Sequence, residues 1–246
     1  MTEKVALLAD SDTDSKTDKH ESESRASIFD KQLWLTDGKA ISILMVLYIF
    51  QGVPLGLCGA IPYMLTSRGV SYDDQAIFSF SGLPFSMKLL WAPFVDGFYS
   101  TKFGRRKTWL VPVQLLIGFG MLLIYPHIDY LIENSIFSLT VAAFMFTFLA
   151  ATQDIAVDGW CLTMLSKSNV GWASTCNAVG QTIGYFLGNS IFLALESADF
   201  SDKWVRPIFG LQEQKIGLVT LPGYFHFWGW LFIIGTTLVS IRGGEI

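Results

Sequence analysis

The chain has 246 residues, of which 51% are hydrophobic and 15% are charged, and its mean hydropathy is +0.43. A water-soluble domain does not carry so large an apolar excess, so the composition excludes a soluble globular protein and indicates a lipid bilayer as the solvent. The formal net charge is −4, most of it contributed by residues 1–40, and we expect no nucleic-acid partner.

Residues 1–40 are rich in acidic and small polar side chains and show no apolar periodicity. The acidic side chains in the middle of this segment are Asp10, Asp12, Asp14, Asp18, Glu21 and Glu23. Such a segment buries too little apolar surface to fold. It also lacks the basic start, short apolar run and small-residue cleavage site of a secretory signal. We therefore expect residues 1–40 to form a disordered, acidic tail that stays in the cytosol.

Short polar breaks divide residues 41–246 into six apolar stretches. These stretches cover residues 41–65, 75–99, 108–125, 136–165, 171–195 and 224–241. A helix needs roughly 20 predominantly apolar residues to cross about 30 Å of hydrocarbon. The sequence therefore predicts an all-α polytopic membrane protein, with a transmembrane domain of six helices over residues 41–246.

Basic residues concentrate in alternate loops. On one side of the predicted membrane they are Lys31, Lys39, Lys102, Arg105, Arg106, Lys107, Lys167 and Arg242. On the other side, the loop of residues 126–135 has neither Lys nor Arg, and the loop after the first span has only Arg68. Because cytosolic loops carry the excess of Lys and Arg, we expect both termini to lie in the cytosol.

Glycines recur at every fourth residue in two spans, and prolines interrupt the first two. The glycines are Gly52 and Gly56 in the first span and Gly180, Gly184 and Gly188 in the fifth, and the prolines are Pro54, Pro62, Pro84 and Pro93. Small residues at this spacing let helix backbones approach closely, so we interpret the glycines as packing positions. We expect the prolines to kink their helices.

Charged side chains inside the spans are the candidates for function. Lys88 is the one basic residue well inside a span, and Asp154 and Asp158 lie four residues apart on one face of the fourth helix. An intramembrane charge is costly, so it faces a wet cavity or a partner and commonly marks a route for ions, protons or substrate. The alternatives are a structural role for the two carboxylates, and snorkelling or a plain ion pair with Asp154 for Lys88.

Residue counting gives the depth of these side chains, because a helix rises about 1.5 Å per residue. Lys88 and Asp154 both lie about 15 Å from the cytosolic edge, and Gln51 and Gln181 reach a similar depth. Transporters bind substrate near this level. The candidates for substrate binding or coupling are Gln51, Lys88, Gln153, Asp154 and Gln181, with Asp158 and Asn177 at a shallower level.

The cysteines and histidines give no sign of a disulfide or a metal. The cysteines are Cys58, Cys161 and Cys176, and all three fall inside apolar segments. The histidines are His20, His127 and His226, and none has the paired spacing of metal ligands. We expect no metal and no cofactor.

Asp96 ends the second span, and a Gly-Arg-Arg-Lys run that ends at Lys107 precedes the third. This arrangement resembles the loop signature of the major facilitator superfamily, which latches the cytosolic side of those carriers. Here residues 97–102 separate the two parts. One interpretation is a gate formed by Asp96 with Arg105, Arg106 and Lys107; the other is positive charge that only sets topology.

Five segments resemble the acetyl-coenzyme A transporters, a family of the major facilitator superfamily. They are QGVPLG at 51–56, KLLWAP at 88–93, ATQDIAVDGW at 151–160, ASTCN at 173–177 and LALESADF at 193–200. The resemblance implies the N-terminal half of a major-facilitator fold in the membrane of the endoplasmic reticulum. It also implies transport of acetyl-coenzyme A from the cytosol to the lumen. Whether protons or an exchanged metabolite drive transport stays open.

Other functions are also compatible with parts of this pattern. A muropeptide-permease-like or other major-facilitator carrier would share the acidic fourth helix, and a truncated regulatory partner of a full-length carrier would share the spans. An intramembrane prenyltransferase needs a second Asp-rich motif, but Asp73 and Asp74 lie in the loop opposite Asp158, so we expect no enzyme. Because the chain ends directly after the sixth span, we expect a second six-helix half or a homo-oligomer to complete the carrier.

Overall fold

The computed structural model describes residues 2–242 except 101–103 and 213, with side chains described from Trp34 to Ile241 within these ranges. The described residues form helices, and no β-strand occurs among them. The α-helices are α1 (Thr2–Ser67), α2 (Tyr72–Ser79), α3 (Leu83–Met87), α4 (Ala92–Gly97), α5 (Lys107–Ile124), α6 (Ile128–Asn134), α7 (Ile136–Met164), α8 (Trp172–Phe186), α9 (Phe192–Glu196), α10 (Ala198–Phe200) and α11 (Leu221–Arg242). Short 3₁₀ turns occupy Phe80–Gly82, Lys88–Leu90 and Tyr125–His127, and π turns occupy Leu187–Ile191 and Ser201–Val205.

Within the described ranges, 5 helical stretches are long and apolar enough to cross a membrane. They are Trp34–Ser67, Lys107–Asn134, Ile136–Met164, Trp172–Glu196 and Leu221–Ile241. These stretches overlap the first, third, fourth, fifth and sixth predicted spans, and the one at Lys107–Asn134 continues through most of the segment predicted as a loop, residues 126–135. The prediction of an all-α polytopic membrane protein is therefore confirmed.

The second predicted span, residues 75–99, is broken rather than continuous. It consists of α2, α3 and α4, joined by 3₁₀ turns. Pro84 and Pro93 each lie in the first turn of a new helix, where the N–H that proline lacks has no intrahelical partner. The kinks predicted at these two prolines are thus helix breaks. The pieces follow one another along α7, so the segment still runs beside the bundle as a second crossing would.

Helices α1 and α8 pack backbone against backbone. A Cβ atom placed on Gly56 would overlap the carbonyl oxygen of Tyr185, and one placed on Gly184 would overlap the carbonyl oxygen of Ile49. Only glycine allows so close an approach, which confirms the packing role predicted for the glycine repeats. The contact fixes the fifth span directly beside the first.

Two apolar clusters fill the bundle and leave a polar level between them. The larger cluster takes α1 from Val53 onward and α7 up to Phe146, together with α5 and α11, and also includes Phe50. The smaller cluster takes α1 up to Tyr48 and α7 from Val157 onward, together with α8. The segments between these limits on α1 and α7 carry the polar residues of the predicted site.

The packed part of α1 begins before residue 41. Asp37 is buried and accepts hydrogen bonds from Ser166 Oγ at 2.6 Å and from Asn169 Nδ2 at 2.7 Å. The bundle therefore includes the end of the segment predicted as a tail. In the structure α1 starts at Thr2, but side chains before Trp34 lie outside the described ones. The disorder expected for the rest of residues 1–40 stays a prediction.

Candidate functional site

The centre of the site is the carboxylate of Asp154 on α7. Its residue is 1% exposed, and one oxygen accepts a 2.5 Å hydrogen bond from Nε2 of Gln51, which is 0% exposed. The other oxygen forms an ion pair with Nζ of Lys88. Three of the predicted residues, from the first, second and fourth spans, therefore meet at one point. The arrangement compensates a buried negative charge with one cation and one neutral donor.

The break in the second span places Lys88. This residue begins the 3₁₀ turn Lys88–Leu90, and its Nζ lies 4.9 Å from the centre of the Phe85 ring. The indole N–H of Trp91 donates to Oγ1 of Thr152 at 3.2 Å, which ties the turn to α7. Lys88 remains partly exposed, so the cation faces both Asp154 and the open side of the segment.

A second polar level lies one helical turn further along α7. Oδ1 of Asp158 accepts hydrogen bonds from the hydroxyl of Tyr48 at 2.7 Å and from Nδ2 of Asn177 at 3.0 Å. Asp158 makes no ion pair with any described residue. The two carboxylates of α7 therefore differ, because Asp154 has a cationic partner and Asp158 has neutral donors only.

A cavity of about 590 Å³ lies beside the Lys88 and Asp154 pair, between the first, second, fourth and fifth spans. It is lined by Leu55, Cys58, Gly59, Pro62, Phe78, Ser79, Ser81, Gly82, Phe85, Ser86, Thr147, Gln181, Thr182 and Tyr185. Gln181 thus faces this cavity. Lys88 and Asp154 do not line it, but Phe85, whose ring contacts the Lys88 ammonium, does.

Gln153 takes a different position from the other candidates. It is buried, and its Nε2 donates to the carbonyl oxygen of Leu47 at 3.0 Å. The side chain therefore joins α7 to α1 and lies outside the lining of the cavity. Its place in the predicted binding set is not supported by contact with the other candidates.

The charged groups of the predicted gate are in contact despite the residues inserted between its parts, and their gating role stays a prediction. The Asp96 carboxylate forms an ion pair with Arg106, and Nε of Arg105 donates to the Asp96 carbonyl at 3.2 Å. The Arg106 guanidinium also lies against Gly159 of α7, where a Cβ atom would overlap it. We call Asp96, Arg105, Arg106 and Gly159 the latch. Lys107 begins α5 immediately after it.

Tyr48 and Gly159 also contact the predicted site residues, although neither was predicted from the sequence. Tyr48 lies about one turn before Gln51 on α1, and Asp158 lies about one turn after Asp154 on α7. The first and fourth spans run in opposite directions, so one turn back along α1 and one turn forward along α7 reach the same depth. Counting every polar atom by depth, hydroxyls included, would have placed Tyr48 beside Asp158.

Several known proteins are similar to this chain. A family model described as acetyl-coenzyme A transporter 1 matches residues 40–245. An uncharacterized protein of Schizosaccharomyces pombe is 44% identical over 203 residues, which cover 81% of this chain and 38% of that protein. An uncharacterized membrane protein of Saccharomyces cerevisiae is 38% identical over 218 residues, which cover 80% of this chain and 38% of its own length. The anhydromuropeptide permease of Escherichia coli is 27% identical over 166 residues, or 67% of this chain and 32% of the permease.

The family match contains both polar levels and the latch, since it extends over residues 40–245. The chain spans only 38% of the length of either fungal relative. The match covers most of the chain itself, however, and the chain therefore belongs to the acetyl-coenzyme A transporter 1 family.

Proposed function

We propose that this chain is the first six-helix half of a carrier that moves acetyl-coenzyme A from the cytosol into the lumen of the endoplasmic reticulum, with both termini in the cytosol. The chain is a multi-pass membrane protein of a transporter family. The observation that carries the proposal is the ion pair of the partly exposed Lys88 with the buried Asp154, close to a cavity in a chain of this family.

The chemistry of the substrate fits this pair in one respect. A coenzyme A ester is strongly anionic, and its phosphates seek cations and N–H donors. Lys88 is partly exposed and is shared with Asp154, so an anionic group of the substrate competes with that carboxylate for the ammonium. One cation does not balance the whole substrate. The rest of the phosphate-binding groups belong, in this proposal, to a second six-helix half or to a second copy of the chain.

We assign proton coupling of the carrier to Asp158. Protonation of Asp154 would leave the Lys88 ammonium without its partner, which is costly in a membrane. Protonation of Asp158 leaves no cation uncompensated, because its partners are the Tyr48 hydroxyl and the Asn177 amide. In this proposal the level of Lys88 and Asp154 contacts the substrate, and the level of Asp158 binds and releases the coupling proton.

The latch and the cavity support a conformational assignment. Leu55, Cys58 and Pro62 line the cavity and follow Gln51 on α1, so they lie on the side of the ion pair away from the latch. In this proposal the latch lies on the cytosolic side, because the loop that carries it is rich in Lys and Arg. We infer that the latch closes the cytosolic side of this half and that the cavity lies on its lumenal side.

Uptake measurements test the proposed substrate. The chain is produced together with the C-terminal half of a full-length fungal relative, and microsomes are given radiolabelled acetyl-coenzyme A. We expect uptake above that of microsomes without the chain, and we expect Lys88→Ala to abolish most of it. The matched control Lys167→Ala removes an exposed loop lysine and is expected to leave uptake unchanged.

A muropeptide substrate is the second candidate, because the chain is 27% identical to the anhydromuropeptide permease over 166 residues. Uptake of a labelled anhydromuropeptide without uptake of acetyl-coenzyme A would replace our proposal with this one. If neither compound enters but the chain changes uptake by a full-length relative, a regulatory partner is the correct interpretation.

A further inference from the structure

The connection between α9 and α11, residues 197–220, is folded back on itself. It starts with α10 and the π turn Ser201–Val205, and it rejoins the bundle at Leu221. The backbone N–H of Leu218 donates to Oγ of Ser201 at 3.1 Å, and the N–H of Val219 donates to the carbonyl of Leu195 at 3.2 Å. These hydrogen bonds hold the returning segment of the connection against the end of α9.

Arg206 is buried within the connection and binds several of its groups. Its side chain is 3% exposed, and Nη1 forms an ion pair with Asp202. Nη1 and Nη2 also donate to the carbonyl oxygens of Gln214 at 3.3 Å and of Ile216 at 2.6 Å. The N–H of Gln214 in turn donates to the Asp202 carboxylate at 3.2 Å. A buried arginine with this many partners gives the connection one defined shape.

The outward surface of the same connection is apolar. Trp204 is 59% exposed, Ile208 is 78% exposed and Phe209 is 70% exposed. Nζ of Lys203 lies 5.6 Å from the centre of the Trp204 ring. A loop in water normally keeps its large apolar side chains inside and its charges outside, whereas here the arginine is inside and several large apolar side chains, including these three, are outside.

The position of the connection puts this surface at the boundary of the membrane. It leaves one candidate span at Glu196 and enters the next at Leu221, so both of its ends lie on one side of the bilayer. That side is opposite the latch, because α8 starts near the latch end of α7 and the fifth span then crosses away from it. At this depth, a tryptophan beside a lysine suits the lipid headgroup region.

We propose that Trp204, Ile208 and Phe209 insert into the headgroup region of the bilayer on the side opposite the latch and anchor the ends of α9 and α11. We call these three residues the anchor. Lipid is the occupant because the connection joins two spans at the membrane boundary. The Asp202 charge is also paired internally with Arg206, so the Lys203 ammonium, which lies by the Trp204 ring, can meet phospholipid phosphate. The anchor does not depend on the substrate of the carrier.

Site-directed spin labelling tests the anchor in the full chain reconstituted in nanodiscs. Cys58, Cys161 and Cys176 are replaced by Ala, and one cysteine is introduced by Trp204→Cys, Ile208→Cys or Phe209→Cys. We expect the ratio of oxygen to nickel-chelate accessibility at these positions to be severalfold higher than at the control Gln212→Cys on the same connection. Equal ratios would show that the surface lies in water, and low accessibility to both reagents would show a protein partner. Either result overturns the proposal.

A fluorescence measurement keeps the proposal testable if the chain without cysteines does not fold. Emission spectra of the unaltered chain and of Trp204→Phe are recorded in nanodiscs, and their difference isolates Trp204. We expect this difference emission to be quenched by lipids brominated near the headgroup and to resist acrylamide. Quenching by acrylamide alone, or by neither reagent, would contradict the insertion of Trp204 into lipid.

Discussion

At the scale of single residues, variants of the Lys88 and Asp154 ion pair distinguish a structural role of the pair from a role in transport. Removing one partner of a buried pair costs roughly 3–5 kcal/mol. Because Lys88 is partly exposed, we expect Lys88→Ala to lower the free energy of unfolding by less, about 1–3 kcal/mol. The double variant of Lys88→Ala and Asp154→Asn removes both charges and should recover most of this loss, but it should not recover uptake.

Thermal unfolding and uptake are measured on the two single variants and on the double variant. Recovery of stability without uptake is the outcome expected if Lys88 contacts substrate. A double variant that transports as well as the original chain would mean that the pair only neutralises itself, and our assignment of Lys88 to substrate contact would then be wrong.

Gly159 provides a second test at this scale, because its lack of a side chain leaves room for the Arg106 guanidinium in the latch. In Gly159→Ala the added Cβ overlaps that guanidinium, so Arg106 is pushed away from Asp96. Overpacking of this kind costs typically about 1–3 kcal/mol. We expect slower uptake and easier opening toward the cytosol, measured by the accessibility of a cysteine introduced by Asn177→Cys to a cytosolic thiol reagent. The matched control Gly171→Ala has no atom within 4 Å of its new Cβ and should behave like the original chain.

Much of the site follows from depth counting in the sequence. The pairing of Lys88 with Asp154 is one such case, since the alternation of span direction places both at one level. Tyr48 is harder to find, because a tyrosine in an apolar helix commonly lies in a membrane interface. The contact of Arg106 with Gly159 depends on a loop whose path is not determined by its composition.

At the scale of elements, the lengths of the spans are predictable and the breaks within them are not. The length of an apolar stretch is enough to locate the continuous spans, because the thickness of the bilayer sets the number of residues that a crossing helix needs. Proline does not by itself tell a kink from a break. Pro54 and Pro62 lie inside α1 without ending it, whereas Pro84 and Pro93 start new helices. The pieces of the broken segment each pack along α7, which supports a span that is interrupted.

The connection that carries the anchor is expected to be sensitive to acid. The hydrogen bond from Arg206 lowers the pKa of the Asp202 carboxyl below its usual value. A lowered pKa in the folded state stabilises the connection above the ordinary aspartate pKa, and this stabilisation is lost as the pH falls through the lowered value. We expect the Trp204 emission of the reconstituted chain to change in that acidic window.

The control for this titration is Asp202→Asn, which has no carboxylate to protonate. We expect its Trp204 emission to show no transition in the same window. If the variant titrates like the original chain, another group controls the connection, and the ion pair with Arg206 does not determine its shape.

At the scale of the whole molecule, the described spans supply one wall of the cavity on the polar face of the bundle. The cavity of about 590 Å³ is bounded by side chains of the first, second, fourth and fifth spans only. Carriers of two related halves bind substrate between those halves and rock one half against the other. This chain spans 38% of the length of its fungal relatives, so in our proposal the other wall comes from a second half or a second copy.

The last prediction follows from the cost of leaving that face uncovered. A charge at the bilayer centre costs about 2.5–3.5 kcal/mol, and Lys88 is partly exposed on this face. We therefore expect the chain produced alone to be scarce and inactive, and we expect the separately produced C-terminal half of the Schizosaccharomyces pombe relative to restore both abundance and uptake of acetyl-coenzyme A. Lys88→Ala paired with the same half should restore abundance but not uptake, which separates the covering of the face from transport. A purified monomer of this chain that imports acetyl-coenzyme A into liposomes unaided would refute the two-half proposal, because its substrate site would then be complete within the six spans.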